Sequence, residues 1–340
     1  DWPRLLLRCR ALQHGGGKQG DDEPGHGAMV SSAGEIIHHL VQRTQAGIVR
    51  FGDFDLQALV QRHEEVEPVH RVEVDLVAQQ PVGLELALFH LGRDADESLL
   101  GLRTADSLVD VLERAVEQED IFDLVLCSGD ISNDGTAASY DRFIQVVRKH
   151  MPATPLAWLP GNHDDPAGMR AIRSAAPRSD YLSIGGWNII LLNSRVPFEE
   201  RGELPQSELD RLERLLESDP TSPTLIFLHH QLVPVGSAWI DQYVVSNATE
   251  FFAITDRFDN VRAVSWGHVH QEFYMVRNGV DLLATPSTCV QFKPISDDFA
   301  VDSVMPGYRT YELHPHGVYT THVNRVSERV YDIDRESVGY

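Results

Sequence analysis

The sequence predicts an α/β fold in which sheets and helices lie in layers. From Phe122 onward, short apolar runs ending in Gly-Asp, Gly-Asn or His-His alternate with stretches of helical periodicity, the pattern of strands feeding helices. At 340 residues and 42% apolar side chains, the chain can bury a core of the size such layering needs, with one large domain and an appendage. The segment after Pro205 carries an apolar stripe of helical spacing, Leu209, Leu212, Leu215 and Leu216.

The first 80 or so residues stand apart. They hold no tyrosine, six of the sixteen histidines and the Gly-rich "HGGGKQG", with no sustained period beyond a helix over 36–42. The chain begins with Asp1. The segment reads as the edge of a fragment, a disordered extension or a stretch translated out of frame, and 81–340 reads as the second domain. In that domain, strands are expected over 123–127, 155–159, 187–193, 224–229, 261–266, 273–277 and 280–284. Asn278 and Gly279 supply a hairpin turn between the last two. The helix after Pro205 is expected to start on a capping arrangement of Ser207 and Asp210.

Composition excludes several classes of partner. A formal charge of -22 repels nucleic acid and anionic membranes alike. No apolar run approaches the roughly 20 residues that cross a bilayer, and Leu5 to Leu7 is too short and too flanked by arginine for a secretory signal, so a cytoplasmic location is expected. Cys9, Cys127 and Cys289 are too few and scattered for a disulfide framework or zinc knuckle and read as small core residues. The expected partner is a small molecule; the sequence sets no oligomeric state. An anionic substrate would need local positive charge against this field, which metal ions could supply.

The chemistry gathers at strand ends. "LVLCSGD" ends on Asp130, "WLPGNHD" presents Asn162 and His163, "LIFLHH" ends on His229 and His230, and "VSWGHVH" ends on His268 and His270. Four strands thus bring oxygen or imidazole donors to the edge where α/β proteins bind ligands. Alone, a Gly-Asp reads as a turn and a His-His as satisfied histidines; four in this order behind apolar runs read as a site. If extended, "GHVH" puts His268 and His270 on one side. A carboxylate with several imidazoles suits manganese, iron or zinc better than magnesium or calcium. Two such ions, about 3.5 to 4 Å apart and bridged by one carboxylate, would clamp the attacking and leaving oxygens of a phosphoryl displacement. On that reading the "GNHDD" turn aims its side chains at a metal pair.

The series GD, GNHD, HH and GHVH resembles the calcineurin-like metallophosphoesterases. "WLPGNHD", "SAWIDQYVVSNATE", "LLATPSTCVQFKP" and "PGYRTYELHPHG" narrow this to similarity with the class III 3',5'-cyclic AMP phosphodiesterases of the bacterial CpdA type, from about His90 to Tyr340. The resemblance implies a four-layer sandwich of two mixed β-sheets flanked by helices, the metallo-dependent phosphatase fold. It implies two divalent ions, iron or manganese, bridged by Asp130. Asn162, His229 and His268 would complete one site and His270 would serve the other. His163 would lie beside the phosphate and donate a hydrogen bond or proton to the departing 3'-oxygen, while a metal-bound hydroxide attacks in line to give 5'-AMP.

One position departs from the family. Its first strand ends in Asp-x-His, and here "HLGRDADESLLGLRT" places His90 on the histidine and Leu88 on the aspartate. Leucine has no lone pair, so the first metal should be weakened strongly. Either the start upstream of His90 is out of frame, the favoured account, or a ligand has been lost. Asp94 and Asp96 lie beyond the strand end and read as solvated loop carboxylates. Three functions stay open: hydrolysis of cyclic AMP, action on another phosphodiester or phosphomonoester, and nucleotide binding without turnover because of Leu88.

Overall fold

The computed structural model describes residues 81–119, 121–172, 180–327 and 329–339, together with two short strands nearer the start. The chain divides into two units, Asp1–Gln79 and Gln80–Tyr340. In the first, β1 (Leu5–Cys9) and β2 (Val74–Ala78) pair antiparallel, Leu5 opposite Ala78. The expected helix over 36–42 and the rest of that segment lie outside the described residues.

The second unit begins with β3 (Val82–Leu86), the two-residue strands β4 (Ser98–Leu99) and β5 (Leu102–Arg103), α1 (Thr104–Gln118), β6 (Leu124–Cys127), α2 (Ala137–His150), β7 (Leu156–Trp158) and α3 (Pro166–Ala171). It continues through β8 (Tyr181–Ile184), β9 (Trp187–Leu191), α4 (Gln206–Ser218), β10 (Thr224–Leu228), α5 (Ala238–Asp241), α6 (Ala248–Thr255) and β11 (Val261–Trp266). It closes with β12 (Phe273–Arg277), β13 (Val280–Ala284), β14 (Gly307–Leu313) and β15 (Tyr319–Arg325).

Two mixed sheets result, as expected. One runs β15-β14-β3-β6-β7 with β3, β6 and β7 parallel; the other runs β12-β13-β11-β10-β9-β8 with β13, β11, β10 and β9 parallel. Alternation along the parallel strands shows why their sequences read as continuous apolar runs. Leu124 and Leu126 of β6 join Leu225 and Phe227 of β10 in the core between the sheets, whereas Val125 and Cys127 face the other way with residues of α1 and α2. Ile226 and Leu228 pack with α4 residues on the outer face of the second sheet. The layers are therefore helix, sheet, sheet, helix. Glu85 of β3 is buried between the sheets, where its Oε2 accepts hydroxyl hydrogens from Ser265 (2.8 Å), Thr285 (2.6 Å) and Tyr311 (2.8 Å). Burial pushes its carboxyl up despite these three donors.

The seven expected strands all form, four of them one or two residues shorter where the chain leaves the ladder to build loops, while β3, β8, β14 and β15 lie outside the expectation. Asn278 and Gly279 carry left-handed backbone (φ 51° and 81°) between paired Arg277 and Val280. One local expectation fails. The helix after Pro205 starts at Gln206, Pro205 is its N-cap, and no side chain caps it. Proline has no side-chain acceptor; Asp210 instead takes an (i, i+4) bond from the Gln206 amide (2.7 Å), and Glu208 accepts the Asn193 N–H (2.9 Å). The leucine stripe holds, with Leu209, Leu212 and Leu216 buried and Leu215 half-buried. No helix among the described residues is long and apolar enough to cross a membrane.

Candidate metal centre

The C-terminal ends of β3, β6, β7, β10 and β11 deliver Leu88 and His90, Asp130, Asn162 and His163, His229 and His230, and His268 and His270 respectively. The first two loops are stitched together by the backbone: Leu88 N–H donates to Gly129 C=O (3.1 Å), and Phe89 and His90 N–H both donate to Asp130 C=O (2.8 and 3.0 Å). A side chain at Gly129 would strike the His229 ring, and one at Gly161 would strike the Asp130 carboxylate, so both positions need glycine.

Five residues here have left-handed backbone: Leu88 (φ 59°), His90 (46°), Asp130 (51°), His268 (53°) and His270 (49°). Such φ values cost an L residue on the order of 1 kcal/mol or more and collect at functional sites. They also correct the expectation for "GHVH". The segment is not extended, and the two histidines go to different neighbours. His268 Nδ1 lies 3.3 Å from His229 Nε2, while His270 Nε2 lies 3.1 Å from His90 Nε2.

Asp130 sits between these two groups. Its Oδ1 accepts the His163 N–H (3.0 Å); its Oδ2 is 3.1 Å from His229 Nε2 and 3.8 Å from His90 Nε2. Second partners set which imidazole nitrogen faces inward. His229 Nδ1 donates to Ser128 C=O (2.9 Å), His270 Nδ1 to Val290 C=O (2.7 Å), and His90 Nδ1 lies 3.4 Å from Asn133 Oδ1. With those tautomers the inward nitrogens are lone pairs. His229 Nε2 faces Asp130 Oδ2, Asn162 Oδ1 (3.0 Å) and His268 Nδ1, and His90 Nε2 faces His270 Nε2, so atoms able to ligate converge on two sides of Asp130. Such a cluster of buried nitrogen and oxygen atoms is satisfied by a shared proton, as between His229 and Asp130, or by a bound cation. The donor set therefore fits metal ions, at Asp130, Asn162, His229 and His268 on one side and at His90, His270 and Asp130 on the other.

The electrostatics agree. Burial, with the neighbouring imidazoles, holds His90 and His268 well below the ordinary histidine range, and burial brings His270 down to about 3, so each is neutral and able to ligate. Burial alone would raise Asp130, but His229, and then His163 and His90, hold it well below the usual carboxylate range. The same pairing raises His229 against the opposing effect of burial.

His230 and Leu88 differ from these residues in what their side chains meet. His229, His230 and His268 also place ligand atoms within 4.8 Å of one another. Both His230 nitrogens, however, are engaged, Nδ1 with Ser194 Oγ (2.9 Å) and Nε2 with Glu200 C=O (3.1 Å), whereas His268 Nε2 is buried without a partner. His230 reads as a support, and the His-His pair in the sequence could not say which of its members faced the donors. Leu88 is fully buried and offers only its carbonyl, which accepts from Ser287 Oγ (2.9 Å), Thr288 Oγ1 (3.3 Å) and Cys289 Sγ (3.3 Å). Asp94 and Asp96 are exposed in the loop beyond, as expected.

The Asn-His-Asp-Asp turn divides its labour, which corrects the expectation that all its side chains aim at metal. Asn162 faces the centre, and the His163 ring stands edge-on to His90 with centroids 4.8 Å apart. Asp164 is instead a buried strut accepting N–H bonds from Gly161 (2.9 Å), Ile131 (3.2 Å) and Ser132 (2.9 Å), and Asp165 caps α3 through Ala167 and Gly168 N–H. Burial, and then the Asp130 charge, pushes Asp164 up to about 6. Asp164→Ala strands three buried amides and is expected to cost at least about 3 kcal/mol. A urea midpoint that stays in place at constant slope would refute the strut.

The Calcineurin-like phosphoesterase family profile matches residues 90–272, beginning on His90. The 3',5'-cyclic adenosine monophosphate phosphodiesterase CpdA of Pseudomonas aeruginosa is 38% identical over 258 residues, 76% of this chain and 94% of that protein. The 3',5'-cyclic-nucleotide phosphodiesterase alr5338 of Nostoc sp. is 41% identical over 239 residues, 70% of this chain and 89% of that protein. Among solved structures, purple acid phosphatase PPD1 from yellow lupin superposes with a TM-score of 0.57 at 12% identity, covering 74% of this chain and 52% of that one, a likeness of fold.

Proposed function

The chain belongs to the calcineurin-like phosphoesterase family, a family of hydrolases, and from that premise we propose that it hydrolyses 3',5'-cyclic AMP to 5'-AMP at a dinuclear metal centre within residues 81–340. The convergence of imidazole and amide groups on the two sides of Asp130 carries this reading, because that donor set suits a cation on either side of one carboxylate.

Asp130 would be shared by both ions. Asn162, His229 and His268 would hold one, His90 and His270 the other, and these oxygen and imidazole donors suit manganese or iron. Bound ions supply positive charge to the phosphoryl oxygens and lower the pKa of the attacking water. The remaining steps belong to the protein. Gly129 and Gly161 let the two loops approach closely enough for Asp130 to lie between the imidazoles. His163, oriented by its backbone bond to Asp130, donates a proton to the departing 3'-oxygen as the P–O3' bond breaks. Cys127 and Cys289, free and buried, fit a reducing cytoplasmic setting, which is part of the same proposal.

Leu88 supports a second reading, a nucleotide-binding protein whose site at His90 and His270 is short of one ligand. One experiment separates the two. The full chain is incubated with manganese and cyclic AMP, and 5'-AMP is followed; turnover is expected, and its absence alongside retained nucleotide binding selects the second reading.

A further inference from the structure

We infer that Ser287 is a positioning residue of the centre: through the Leu88 carbonyl it sets where His90 stands relative to His270. The inference rests on the two-metal reading and deepens it.

His90 and His270 come from different sheets, His90 from beyond β3 and His270 from beyond β11, so no ladder within either sheet fixes their separation. The sheets meet by backbone three residues before His90. Ala87, past the end of β3, bridges Ser287, past the end of β13, and Thr288 N–H donates to Ala87 C=O (3.0 Å). The buried side chains of Ser287, Thr288 and Cys289 then all reach the next carbonyl, that of Leu88, with Oγ at 2.9 Å, Oγ1 at 3.3 Å and Sγ at 3.3 Å. A carbonyl has two lone pairs, so the shortest contact, from Ser287, is the principal bond. Ser287 Oγ also accepts the Cys289 N–H (2.9 Å), which leaves its own hydrogen for Leu88.

The same segment holds His270 at its other end. Val290 C=O accepts the His270 Nδ1 hydrogen (2.7 Å), Phe292 N–H donates to His270 C=O (3.0 Å), and the Phe292 ring stacks on the imidazole at 4.0 Å between centroids. Gln291 Nε2 donates to the Ser287 and Cys289 carbonyls (2.7 and 3.0 Å), while Gly307 N–H and Ser107 Oγ donate to the Ser287 and Thr288 carbonyls. Residues 287–292 are thus a braced spacer between Leu88 and His270, and across it His90 Nε2 and His270 Nε2 come to 3.1 Å.

Leu88 is where a spacer has most to hold. Its backbone is left-handed (φ 59°), as is that of His90 two residues on (46°), and such conformations persist only where the surroundings enforce them. Without the Ser287 hydroxyl, the Leu88 carbonyl loses its shortest side-chain contact and the turn relaxes, carrying the His90 ring with it. Metal–ligand distances tolerate only about 0.2 Å, so the change is read as affinity at the His90–His270 site before the site of Asn162, His229 and His268.

Manganese is titrated into the full chain, with the free ion followed by electron paramagnetic resonance, for wild type, His270→Ala, Ser287→Ala, Ser287→Thr and Cys289→Ala. At saturating manganese, wild type should bind two ions and His270→Ala one, which identifies the ion held by His90 and His270. Ser287→Ala should weaken that ion about 10- to 100-fold and leave the other within about twofold. Ser287→Thr, which keeps the hydroxyl, should recover most of the loss, and Cys289→Ala, which removes only a longer contact, should lose less at the same ion. Two ions bound with equal affinity by wild type and Ser287→Ala overturn the inference and leave the two-metal reading standing. An equal loss at both ions also overturns it, by assigning Ser287 to the general stability of the fold. If Ser287→Ala does not fold, Cys289→Ala decides by the same two criteria. A single ion in wild type that survives His270→Ala overturns the two-metal reading and the inference with it.

Discussion

Asp130→Asn is expected to lower turnover by more than about 10³-fold while leaving the fold intact, because the substitution removes the one charge that faces both imidazole groups. The amide keeps an oxygen for the His163 N–H, so the loop geometry at Oδ1 survives and the loss is electrostatic. Metal content should fall with activity. His229→Ala provides the companion measurement, since His229 Nε2 faces both Asp130 and Asn162. Circular dichroism and urea unfolding establish the fold, and metal analysis and 5'-AMP release the rest. Retained activity in either variant excludes the two-metal reading.

Leu88→Asp is expected to act in the opposite direction. The position lies two residues before His90, its backbone is left-handed at φ 59°, and aspartate tolerates that conformation better than leucine does. A carboxylate there would add a charged donor beside His90 and His270. Outer-shell partners alone are worth about 10- to 100-fold in metal affinity, and a direct ligand should exceed that. Metal occupancy at limiting manganese should therefore rise, with activity following. Without metal the same variant should be less stable than wild type, because a buried carboxylate then has no cation to offset its desolvation. Thermal unfolding with and without manganese reads this directly. Unchanged metal content would show that residue 88 does not face the site and that the alignment at His90 is wrong.

Local chemistry explains which parts of the molecule could be read in advance. Val261–Trp266, Phe273–Arg277 and Val280–Ala284 have the expected bounds, since apolar runs of that length bounded by Gly and Asn admit little else. The expected cap on α4 fails because capping depends on one residue of register, and the helix begins at Gln206 behind a proline. "GHVH" fails as an extended pair because His268 and His270 carry left-handed φ after β11 has ended, a change that period-two reasoning cannot register.

Residue type and short-range period were enough to read the layered fold, the donors and their places: a carboxylate, an amide and imidazoles, each at the end of an apolar run. Those features depend on residue type and on periods of a few residues. Which donors meet depends on contacts between strands far apart in the chain. His90 and His270 stand 180 residues apart in the chain and are brought to 3.1 Å by the stacking of two sheets, whereas His229 and His268, 39 apart, are brought to 3.3 Å by the parallel pairing of β10 with β11. The tertiary structure likewise turned Asp164 into a strut and held His230 through Ser194 and Glu200. The physical reason is one of range: periodicity sets the face a side chain presents, whereas packing between distant strands sets what that face meets.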